Sequence, residues 1–450
     1  MMDTVFARYA SRPAPRYTSY PTAPHFQKDF AETRYRDWLS KLDRDDPVSL
    51  YLHVPFCRQM CWYCGCNMKL ASRYGPVGEY AKTLRQEIDL TARALPGRMT
   101  VSHLHWGGGT PTALSPDDLQ SLMEDVRALW DFAQDAEIAI ESDPRTLTAE
   151  MADRIGALGF NRASFGVQEF DIQVQNAINR VQPPDMVQRS VEQLRAAGVS
   201  GINFDLIYGL PHQTVASIVK TVRLCAAMRP DRVALFGYAH VPWMAKNQRM
   251  IENDALPGSA ARAAQASAAA QALVAEGYVA IGLDHFALPD DALSVASRTG
   301  QLHRNFQGYT TDRAQTMIGM GATSIGRTPS GYVQNFVETG AWARAVTAGL
   351  LPVAKGLPLT EDDRLRAEVI ERLMCDCHVD AATIGRQYGA PERWWAPEFE
   401  TLQEMEADGL LILSEGKIRM TPQGRPLVRI AAAAFDAYLQ SSSARHSVAV

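Results

Sequence analysis

The first predicted strand, residues 49–54, runs into the loop Cys57-Arg58-Gln59-Met60-Cys61-Trp62-Tyr63-Cys64-Gly65-Cys66. Four of the seven cysteines of the chain lie within this loop, and an aromatic residue precedes the third of them. Three thiolates at this spacing can wrap around one face of an iron–sulfur cube, which leaves the fourth iron open to a ligand from solution. An open iron predicts an enzyme rather than an electron carrier.

A structural zinc site is the main alternative for this loop. Zinc usually takes four ligands from two separated pairs, and the sequence has no second Cys-x-x-Cys pair. His53 is close by, but the alternation of Tyr51-Leu52-His53-Val54 places it in a strand. An electron-transfer cluster held by four cysteines is disfavoured because ferredoxin spacings differ from this one.

The composition is that of an ordinary globular protein. Of the 450 residues 46% are hydrophobic, and 45 Lys and Arg against 50 Asp and Glu give a net charge of −5, which argues against a nucleic-acid-binding protein. An odd number of clustered cysteines does not fit a secreted disulfide scaffold. No apolar run is long enough for a signal peptide or a membrane span. These features predict a cytoplasmic protein that binds neither nucleic acid nor membrane.

Short apolar runs alternate with helical patterns through the first half of the chain. Ser115 and Pro116, for example, are typical of a helix start, and a stripe of apolar residues follows them. Alternating strands and helices predict an α/β fold with a parallel sheet, here an incomplete (β/α)6 TIM-like barrel with its functional side chains at the C-terminal ends of the strands. The predicted strands are residues 49–54, 101–105, 137–140, 162–167, 202–208 and 233–238.

The sequence pattern changes near residue 360, where alternating strands and helices give way to helices and a hairpin. Thr360 precedes a helical pattern, a second helix ends at Gly409, and residues 410–413 and 417–420 read as a hairpin. Helices followed by a hairpin predict a mostly helical, winged-helix-like C-terminal domain. We therefore expect three parts: an extension at 1–45, a partial barrel with its own extension at 46–355, and a C-terminal domain at 356–450.

A glycine-rich turn, His105-Trp106-Gly107-Gly108-Gly109-Thr110-Pro111-Thr112, follows the second predicted strand. Glycines let backbone come close to a ligand, and bare amides in such a turn favour an anionic group such as a carboxylate. Further polar residues lie at the ends of later strands, where a barrel brings them to one mouth. These are Glu141, Gln168, Asp205 and, slightly further on, Arg180.

Through these motifs the chain resembles the radical S-adenosylmethionine enzymes and, within them, the oxygen-independent coproporphyrinogen III oxidases (coproporphyrinogen dehydrogenases). The resemblance extends over nearly the whole length. Its motifs are Arg16-Tyr17-Thr18-Ser19-Tyr20-Pro21-Thr22, the cysteine loop with its extra Cys66, the glycine-rich turn, Phe165-Gly166-Val167-Gln168, Asp205-Leu206-Ile207-Tyr208-Gly209-Leu210-Pro211, Tyr238-Ala239-His240, Gly282-Leu283-Asp284-His285-Phe286-Ala287 and His303-Arg304-Asn305-Phe306-Gln307-Gly308-Tyr309.

The resemblance implies one four-iron four-sulfur cluster on Cys57, Cys61 and Cys64, with S-adenosylmethionine on the open iron and a second molecule of S-adenosylmethionine beside the first. Cys66, Phe306 and Gln307 match positions that matter for catalysis. The contacts to the two S-adenosylmethionine molecules that it implies are Tyr51, Tyr63, Gly108, Gly109, Thr110, Glu141, Gln168, Arg180, Asp205, Ala239 and Ile325.

The resemblance also implies the reaction. A 5′-deoxyadenosyl radical abstracts hydrogen from two propionate side chains of coproporphyrinogen III in turn, and oxidative decarboxylation without oxygen gives the vinyl groups of protoporphyrinogen IX in haem biosynthesis. Haem-trafficking and haem-degrading relatives of the same superfamily are the alternatives. Relatives of the trafficking kind generally lack the Cys66 equivalent and the block that begins at Arg16, and both are present here.

Partners follow from the same resemblance. The substrate is coproporphyrinogen III, the electrons come from a reductant protein such as flavodoxin or ferredoxin, the enzyme is a monomer, and residues 1–45 cover the substrate. Because the substrate carries four propionates, cationic side chains in or beside the motifs are candidate contacts. These are Arg12, Arg16, Lys69, Arg73 and Arg304.

One departure from the pattern is visible in the glycine-rich turn. Many radical enzymes of this class carry Gly-Gly-Glu after the second strand, whereas this chain has Gly107-Gly108-Gly109-Thr110. The carboxylate must therefore come from elsewhere, and Glu141 is the candidate.

Overall fold

Six parallel strands form the centre of the computed structural model, which describes residues 8–9 and 12–439. Each strand pairs in parallel with the next along the chain, so all six C-terminal ends lie at one rim. All six strands predicted from the sequence are confirmed. They are β1 (Val48–Val54), β2 (Thr100–Gly108), β3 (Asp131–Ser142), β4 (Arg162–Gln168), β5 (Gly201–Tyr208) and β6 (Arg232–Gly237).

Helices cover the outer face of these strands. The predicted helix start at Ser115 is confirmed, because its hydroxyl accepts a hydrogen bond from the amide of Asp118 at 3.1 Å. The α-helices up to residue 347 are Glu32–Ser40, Gly75–Ala94, Pro116–Leu129, Ala149–Ala157, Ile172–Ala177, Pro184–Ala196, Val215–Ala227, Ser259–Ala275, Ala292–Arg298 and Thr339–Thr347, with short 3₁₀ turns at Ala23–His25, Pro111–Ala113, Lys246–Met250 and Asn253–Ala255.

The sheet continues beyond the six strands on both sides. Next to β1 lies Thr316–Met320, a parallel strand that was not predicted from the sequence, and next to β6 lies an antiparallel pair of strands. The added strands are Thr316–Met320, Ile325–Thr328, Gly331–Asn335 and Val353–Pro358 on the first side, and His285–Ala287 and Val279–Ile281 on the second. Two small pairs are separate, Phe56–Cys57 with Lys69–Leu70 and His303–Asn305 with Gly308–Thr310.

The two faces of the strands differ in burial. On β5 the outward Phe204 and Leu206 are fully buried under helices, whereas the inward Asp205 between them keeps some exposure. The inward His105 of β2 likewise lies between two fully buried residues. The apolar core therefore lies between sheet and helices, and the interior of the partial barrel is lined by polar side chains.

A closed set of ion pairs occupies the interior near the N-terminal ends of the strands. Glu137 accepts from Arg162 at 2.9 Å and from Arg232 at 3.3 Å. Asp291 pairs with Arg162 at 3.3 Å and with Arg232 at 2.8 Å. Two guanidinium groups and two carboxylates thus alternate and connect β3, β4 and β6 to the start of helix Ala292–Arg298.

The C-terminal module has its own core. Thr360 and Asp363 form a reciprocal capping box at the start of its first helix, and Cys377 ends that helix in the left-handed conformation with φ 57°. The likeness to a winged-helix module stays a prediction. Its elements are Glu361–Asp376, His378–Asp380, Ala381–Gln387, Ala396–Ala407, Leu411–Ser414, Lys417–Met420, the 3₁₀ turn Arg425–Leu427 and Val428–Ala433.

The two ends of the described chain meet at this module. Arg429 donates to the carbonyl of Pro15 at 3.0 Å, and the hydroxyl of Tyr17 donates to Asp436 at 3.0 Å. The amide of Ala437 donates to the hydroxyl of Tyr20 at 3.0 Å. The predicted limits 1–45, 46–355 and 356–450 stay predictions, and the first and last of these parts extend outside the described residues. Within residues 8–9 and 12–439, the helices are all too short or too polar to cross a bilayer.

We expect Glu137→Gln to lower the free energy of unfolding at pH 7 by about 3 kcal/mol, because it leaves two buried guanidinium groups short of a charge partner. Burial opposes the charge of Glu137, but Arg232 and Arg162 hold its pKa at about 2. Since the folded-state pKa lies below the unfolded one, this stabilisation is present above about pH 4.5 and is lost as the pH falls towards about 2. Urea unfolding of the cluster-free protein from pH 7 to pH 3 measures it.

Glu79→Gln is the matched control, because the Glu79–Lys82 pair is exposed and should contribute little. A Glu137→Gln protein as stable as its parent at pH 7 would show that the ion-pair set does not hold the strands together.

Candidate functional site

The cysteine loop lies at the C-terminal rim of the six strands, directly after β1. Cys61 is buried, Cys57 and Cys64 are half-buried, and Cys66 is exposed; all four carry free thiols. In the described part of the chain no group of three His, Cys, Asp or Glu side chains is placed to hold a single metal ion.

Two amide side chains from a distant segment fix the backbone of this loop. Asn247 donates to the carbonyls of Cys61 at 3.1 Å and Cys64 at 2.8 Å. Gln248 donates to the carbonyl of Tyr63 at 2.8 Å and to the carbonyl of Ala239, the second residue after β6, at 3.1 Å. The loop after β1 is thereby tied across the mouth to the end of β6. The sequence reading missed both residues.

Two guanidinium groups converge on the buried thiol. Arg145 lies 3.3 Å and Arg180 3.4 Å from Sγ of Cys61. Both also contact Asp143, at 2.6 Å and 3.4 Å. Burial raises the pKa of Asp143, but the charges of Arg180 and Arg145 outweigh it and hold that pKa at about 2. Cations beside a thiol favour the thiolate, which is the form that binds metal.

The other thiols differ in their surroundings. The thiol of Cys66 hydrogen-bonds Cys64, and its backbone amide also points at Sγ of Cys64 at 3.4 Å, which lowers the pKa of Cys64 to about 7. The same contact raises the pKa of Cys66. Burial raises the pKa of Cys57 to about 11, although Thr110 offers it a partner at 3.5 Å. A nearby metal charge would be needed to deprotonate Cys57 at neutral pH.

The glycine-rich turn serves close packing. A Cβ on Gly108, whose φ is +118°, would lie 2.6 Å from the ring of His53, and a Cβ on Gly109 would lie 2.8 Å from the backbone of Phe56. The prediction of bare amides for a ligand is wrong for two of them. Gly108 N–H donates to Oε2 of Glu141 at 3.1 Å, and Gly109 N–H donates to the carbonyl of Val54 at 2.9 Å.

Glu141, at the end of β3, is held in place from two sides. Its second oxygen lies 3.2 Å from Nε2 of His105, in addition to the amide of Gly108. Burial raises the pKa of Glu141, but the hydrogen bond and charge of His105 and the amide outweigh it, so that the pKa lies below its ordinary value. Tyr51 stacks on His105 with ring centres 5.9 Å apart. The inward faces of β1, β2 and β3 thus present a fixed carboxylate beside an aromatic ring.

Gln168 and Asp205 complete the opposite side of the mouth. Gln168 ends β4 in the left-handed conformation with φ 65°, and its side-chain Oε1 is buried without a hydrogen-bond partner among the described residues. A buried amide oxygen without a donor calls for a ligand that brings one. Asp205 accepts a hydrogen bond from Ser164 at 3.4 Å, and burial together with the charge of Glu141 raises its pKa to about 7.

The remaining predicted residues lie deeper or at the edge. Phe306 packs edge-to-face on Tyr332 with ring centres 6.1 Å apart, and Ile325 belongs to the same apolar cluster. Gln307 lies 3.8 Å from the sulfur of Met317, which pairs with Ser49 of β1. The segment between strands His303–Asn305 and Gly308–Thr310 therefore closes the floor of the interior.

The cationic candidates separate into two groups. Arg12 pairs with Glu404 at 3.2 Å, Lys69 donates to Thr339, and Arg73 is exposed, so these three predictions find no support in the geometry of the mouth. Arg16 and Arg304 do line a common cavity beside β6.

The residues present fit an iron–sulfur cluster with S-adenosylmethionine. Three thiols, one of them under two guanidinium groups, provide the ligand atoms, and Cys57 needs a cationic neighbour. The unpartnered Oε1 of Gln168 and the carboxylates of Glu141 and Asp205 offer acceptors for amino and hydroxyl groups.

Known proteins match this chain over nearly its whole length. Residues 51–225 match the radical SAM superfamily, and residues 359–427 match the HemN C-terminal domain. An oxygen-independent coproporphyrinogen III oxidase of Bradyrhizobium diazoefficiens is 50% identical over 98% of both chains. Another, from Paracoccus denitrificans, is 42% identical over 97% of this chain and 96% of its own length. The solved coproporphyrinogen III oxidase (HemN) of Escherichia coli, a radical SAM enzyme, matches with a TM-score of 0.90 and 39% identity, over 94% of this chain and 98% of that chain.

We expect Asp205→Asn to stabilise the cluster-free protein by about 2 kcal/mol at pH 8, because the parent must keep a carboxylate in a site that disfavours its charge. The folded-state pKa of Asp205, about 7, lies above its unfolded value. The gain should therefore appear as the pH rises from about 4 to about 7 and vanish below about pH 4. Thermal unfolding across this range measures it.

Asp135→Asn, at an exposed position earlier on β3, is the control and should change nothing. Equal stability of parent and Asp205→Asn at pH 8 would mean that the carboxyl of Asp205 is already well solvated.

Proposed function

The chain belongs to the oxygen-independent coproporphyrinogen III oxidases of the radical SAM superfamily, and we propose that Cys57, Cys61 and Cys64 hold its four-iron four-sulfur cluster. The enzyme converts two propionates of coproporphyrinogen III into vinyl groups and so makes protoporphyrinogen IX for porphyrin and haem biosynthesis. The observation that carries this function is the full-length match to named oxidases, because the cysteine loop alone is shared across the superfamily.

The cluster and S-adenosylmethionine, when bound, supply a 5′-deoxyadenosyl radical that removes one hydrogen atom from the propionate. At each propionate the substrate loses that hydrogen atom, carbon dioxide and one further electron, which leaves a vinyl group. The protein must hold the reacting groups still and keep water and oxygen away from them.

Each part of the mouth has a task in this scheme. Arg145 and Arg180 place two positive charges beside the sulfur of Cys61 and so hold this cluster ligand in position. Asn247 and Gln248 orient the loop backbone, so that the thiols stay on one side of it. Cys66 acts at the rim beside Cys64, with which it shares a hydrogen bond.

The contacts to S-adenosylmethionine form two groups, one near the mouth of the partial barrel and one deeper in its interior. Glu141 and Asp205 accept from the amino group and the ribose hydroxyls, and Gln168 uses its spare oxygen in the same way. A second S-adenosylmethionine lies deeper, towards Phe306 and Gln307. The full set of contacts is Tyr51, Tyr63, Gly108, Gly109, Thr110, Glu141, Gln168, Arg180, Asp205, Ala239 and Ile325.

The wider setting is also part of the proposal. The enzyme acts as a monomer in the cytoplasm, and the reducing environment there keeps its thiols free. It takes electrons from a flavodoxin or a ferredoxin. Residues 1–45 cover the substrate, which the packing of Tyr9, Tyr17 and Tyr20 against the C-terminal module supports.

The experiment that tests the function is anaerobic reconstitution with iron and sulfide, followed by reductant, S-adenosylmethionine and coproporphyrinogen III. We expect a product that has lost carbon dioxide and two hydrogens twice, measured by mass spectrometry. Bound haem without decarboxylation would point to a trafficking relative, and a cleaved haem product would point to a degrading one; either result would replace the proposed activity.

We expect Glu141→Ala to keep the iron content of the parent and to lose nearly all cleavage of S-adenosylmethionine, because the fixed carboxylate is removed while the thiols stay in place. Iron analysis and measurement of 5′-deoxyadenosine by chromatography check the two halves of this prediction.

Glu150→Ala, an exposed change on helix Ala149–Ala157, is the control. Full cleavage by Glu141→Ala would remove Glu141 from the cofactor contacts, and loss of iron would instead make it part of the cluster site.

A further inference from the structure

A cavity of about 600 Å³ lies between the end of β6, helix Ser259–Ala275 and the C-terminal module. We infer that it binds the ring system of the tetrapyrrole and the carboxylates that are not reacting. This inference rests on the proposed function and adds a binding site, with its own residues, to it.

One wall of the cavity is a flat strip on the alanine-rich helix. Ala263, Ala266 and Ala270 line it at spacings of three and four residues, so they lie on one face of the helix. Methyl side chains leave the space in front of this face empty. Phe236 and Trp243 supply aromatic surface elsewhere on the wall, and Trp243 is 54% exposed. A wide apolar slot of this kind suits one side of a macrocycle.

Guanidinium groups surround the slot. Arg16, Arg262, Arg304 and Arg429 line it, and Asp284 is the one carboxylate among the lining residues that the structure gives. The four cations come from separate parts of the chain: the N-terminal segment, the alanine-rich helix, the hairpin at His303–Asn305 and the helix Val428–Ala433. An excess of positive charge around an apolar slot selects an apolar ligand that carries several carboxylates.

Arg304 shows most directly that an anion is expected here. Its side chain is 3% exposed, and its Nε and Nη1 form no hydrogen bond to any described residue. Nη1 lies 3.9 Å from Asp284, Nη2 donates to the carbonyl of Arg16 at 3.3 Å, and the guanidinium lies over the ring of Tyr309, 4.4 Å from its centre. A buried guanidinium with two unused donors carries a desolvation cost that a ligand carboxylate would relieve. Arg262 is in a similar situation. Burial lowers the pKa of its guanidinium, and the positive charge of Arg16 lowers it further, so a ligand carboxylate would stabilise the charged form of Arg262 as well.

The cavity borders the proposed reaction site. Ala239, a proposed cofactor contact, is part of its wall. Arg304 lies two residues before Phe306 on the hairpin that closes the floor of the interior. A tetrapyrrole in the slot therefore has one edge next to the reacting centre, while its other carboxylates reach the guanidinium groups. These contacts would also keep the intermediate with one vinyl group bound for the second round.

The steric test is Ala266→Leu, which fills the slot with a side chain of similarly high helix propensity. The probe is coproporphyrin III, the oxidised and fluorescent form of the substrate, titrated into the reconstituted full-length protein. We expect its Kd and the KM for coproporphyrinogen III to rise at least 10-fold, with cluster content and melting temperature unchanged. The matched control is Ala264→Leu, two residues earlier on the exposed face of the same helix. It should leave the Kd and the KM unchanged.

The charge test is Arg262→Gln. Losing one hydrogen bond between charged groups should weaken coproporphyrin III binding roughly 10-fold to 100-fold, and Arg262→Lys should recover part of it. The tetramethyl ester of the same porphyrin should bind weakly and equally to parent and variant. Arg223→Gln, exposed on helix Val215–Ala227, is the control. Release of the product with a single vinyl group should increase in Arg262→Gln.

Unchanged binding of coproporphyrin III to both Ala266→Leu and Arg262→Gln, in an enzyme that makes protoporphyrinogen IX normally, would overturn the inference and leave the proposed function intact. Porphyrin binding that follows the predicted dependence on both residues, in a protein that makes no vinyl product, would uphold the cavity and overturn the function.

Discussion

The site depends on one buried contact, the sulfur of Cys61 between the guanidinium groups of Arg145 and Arg180. Each guanidinium group would be costly to bury alone, and Asp143 offsets this cost for both. The three charged residues come from the loops after β3 and β4, whereas the cysteine comes from the loop after β1. One set of charged contacts therefore surrounds the buried thiol and also holds three loops of the rim together.

The same strands perform opposite tasks at their two ends. Near the N-terminal ends, every inward charge of the set around Glu137 meets an opposite charge. Near the C-terminal ends, Asp205 and Gln168 lack full compensation. Stability is concentrated where ion pairs close on themselves, and binding capacity is concentrated where polar groups lack partners. The polar groups at the C-terminal ends can lack hydrogen-bond partners because the ion pairs near the N-terminal ends keep the strands in register.

The main strands, one helix start and the position of the cysteine loop were predictable from the sequence. Alternation in the strands and the helix start at Ser115 predicted the elements, and the cysteine spacing predicted the rim loop, because these are local patterns with a fixed period. Other features were not predictable. Asn247 reaches backbone carbonyls almost two hundred residues earlier, and a side chain bonded to backbone leaves no periodic signature. The glycine amides were expected to be bare because nothing local reveals that Glu141 folds back onto Gly108.

The contact between the N-terminal segment and the C-terminal module has a consequence for local stability. Arg429 binds Pro15 across 414 residues of sequence, and Tyr17 binds Asp436 across 419. Because closing so long a loop is entropically costly, these contacts exist only while the C-terminal module itself is folded. Loosening of that module therefore frees the segment around Arg16 before it disturbs the cysteine loop, whose supports lie within the partial barrel.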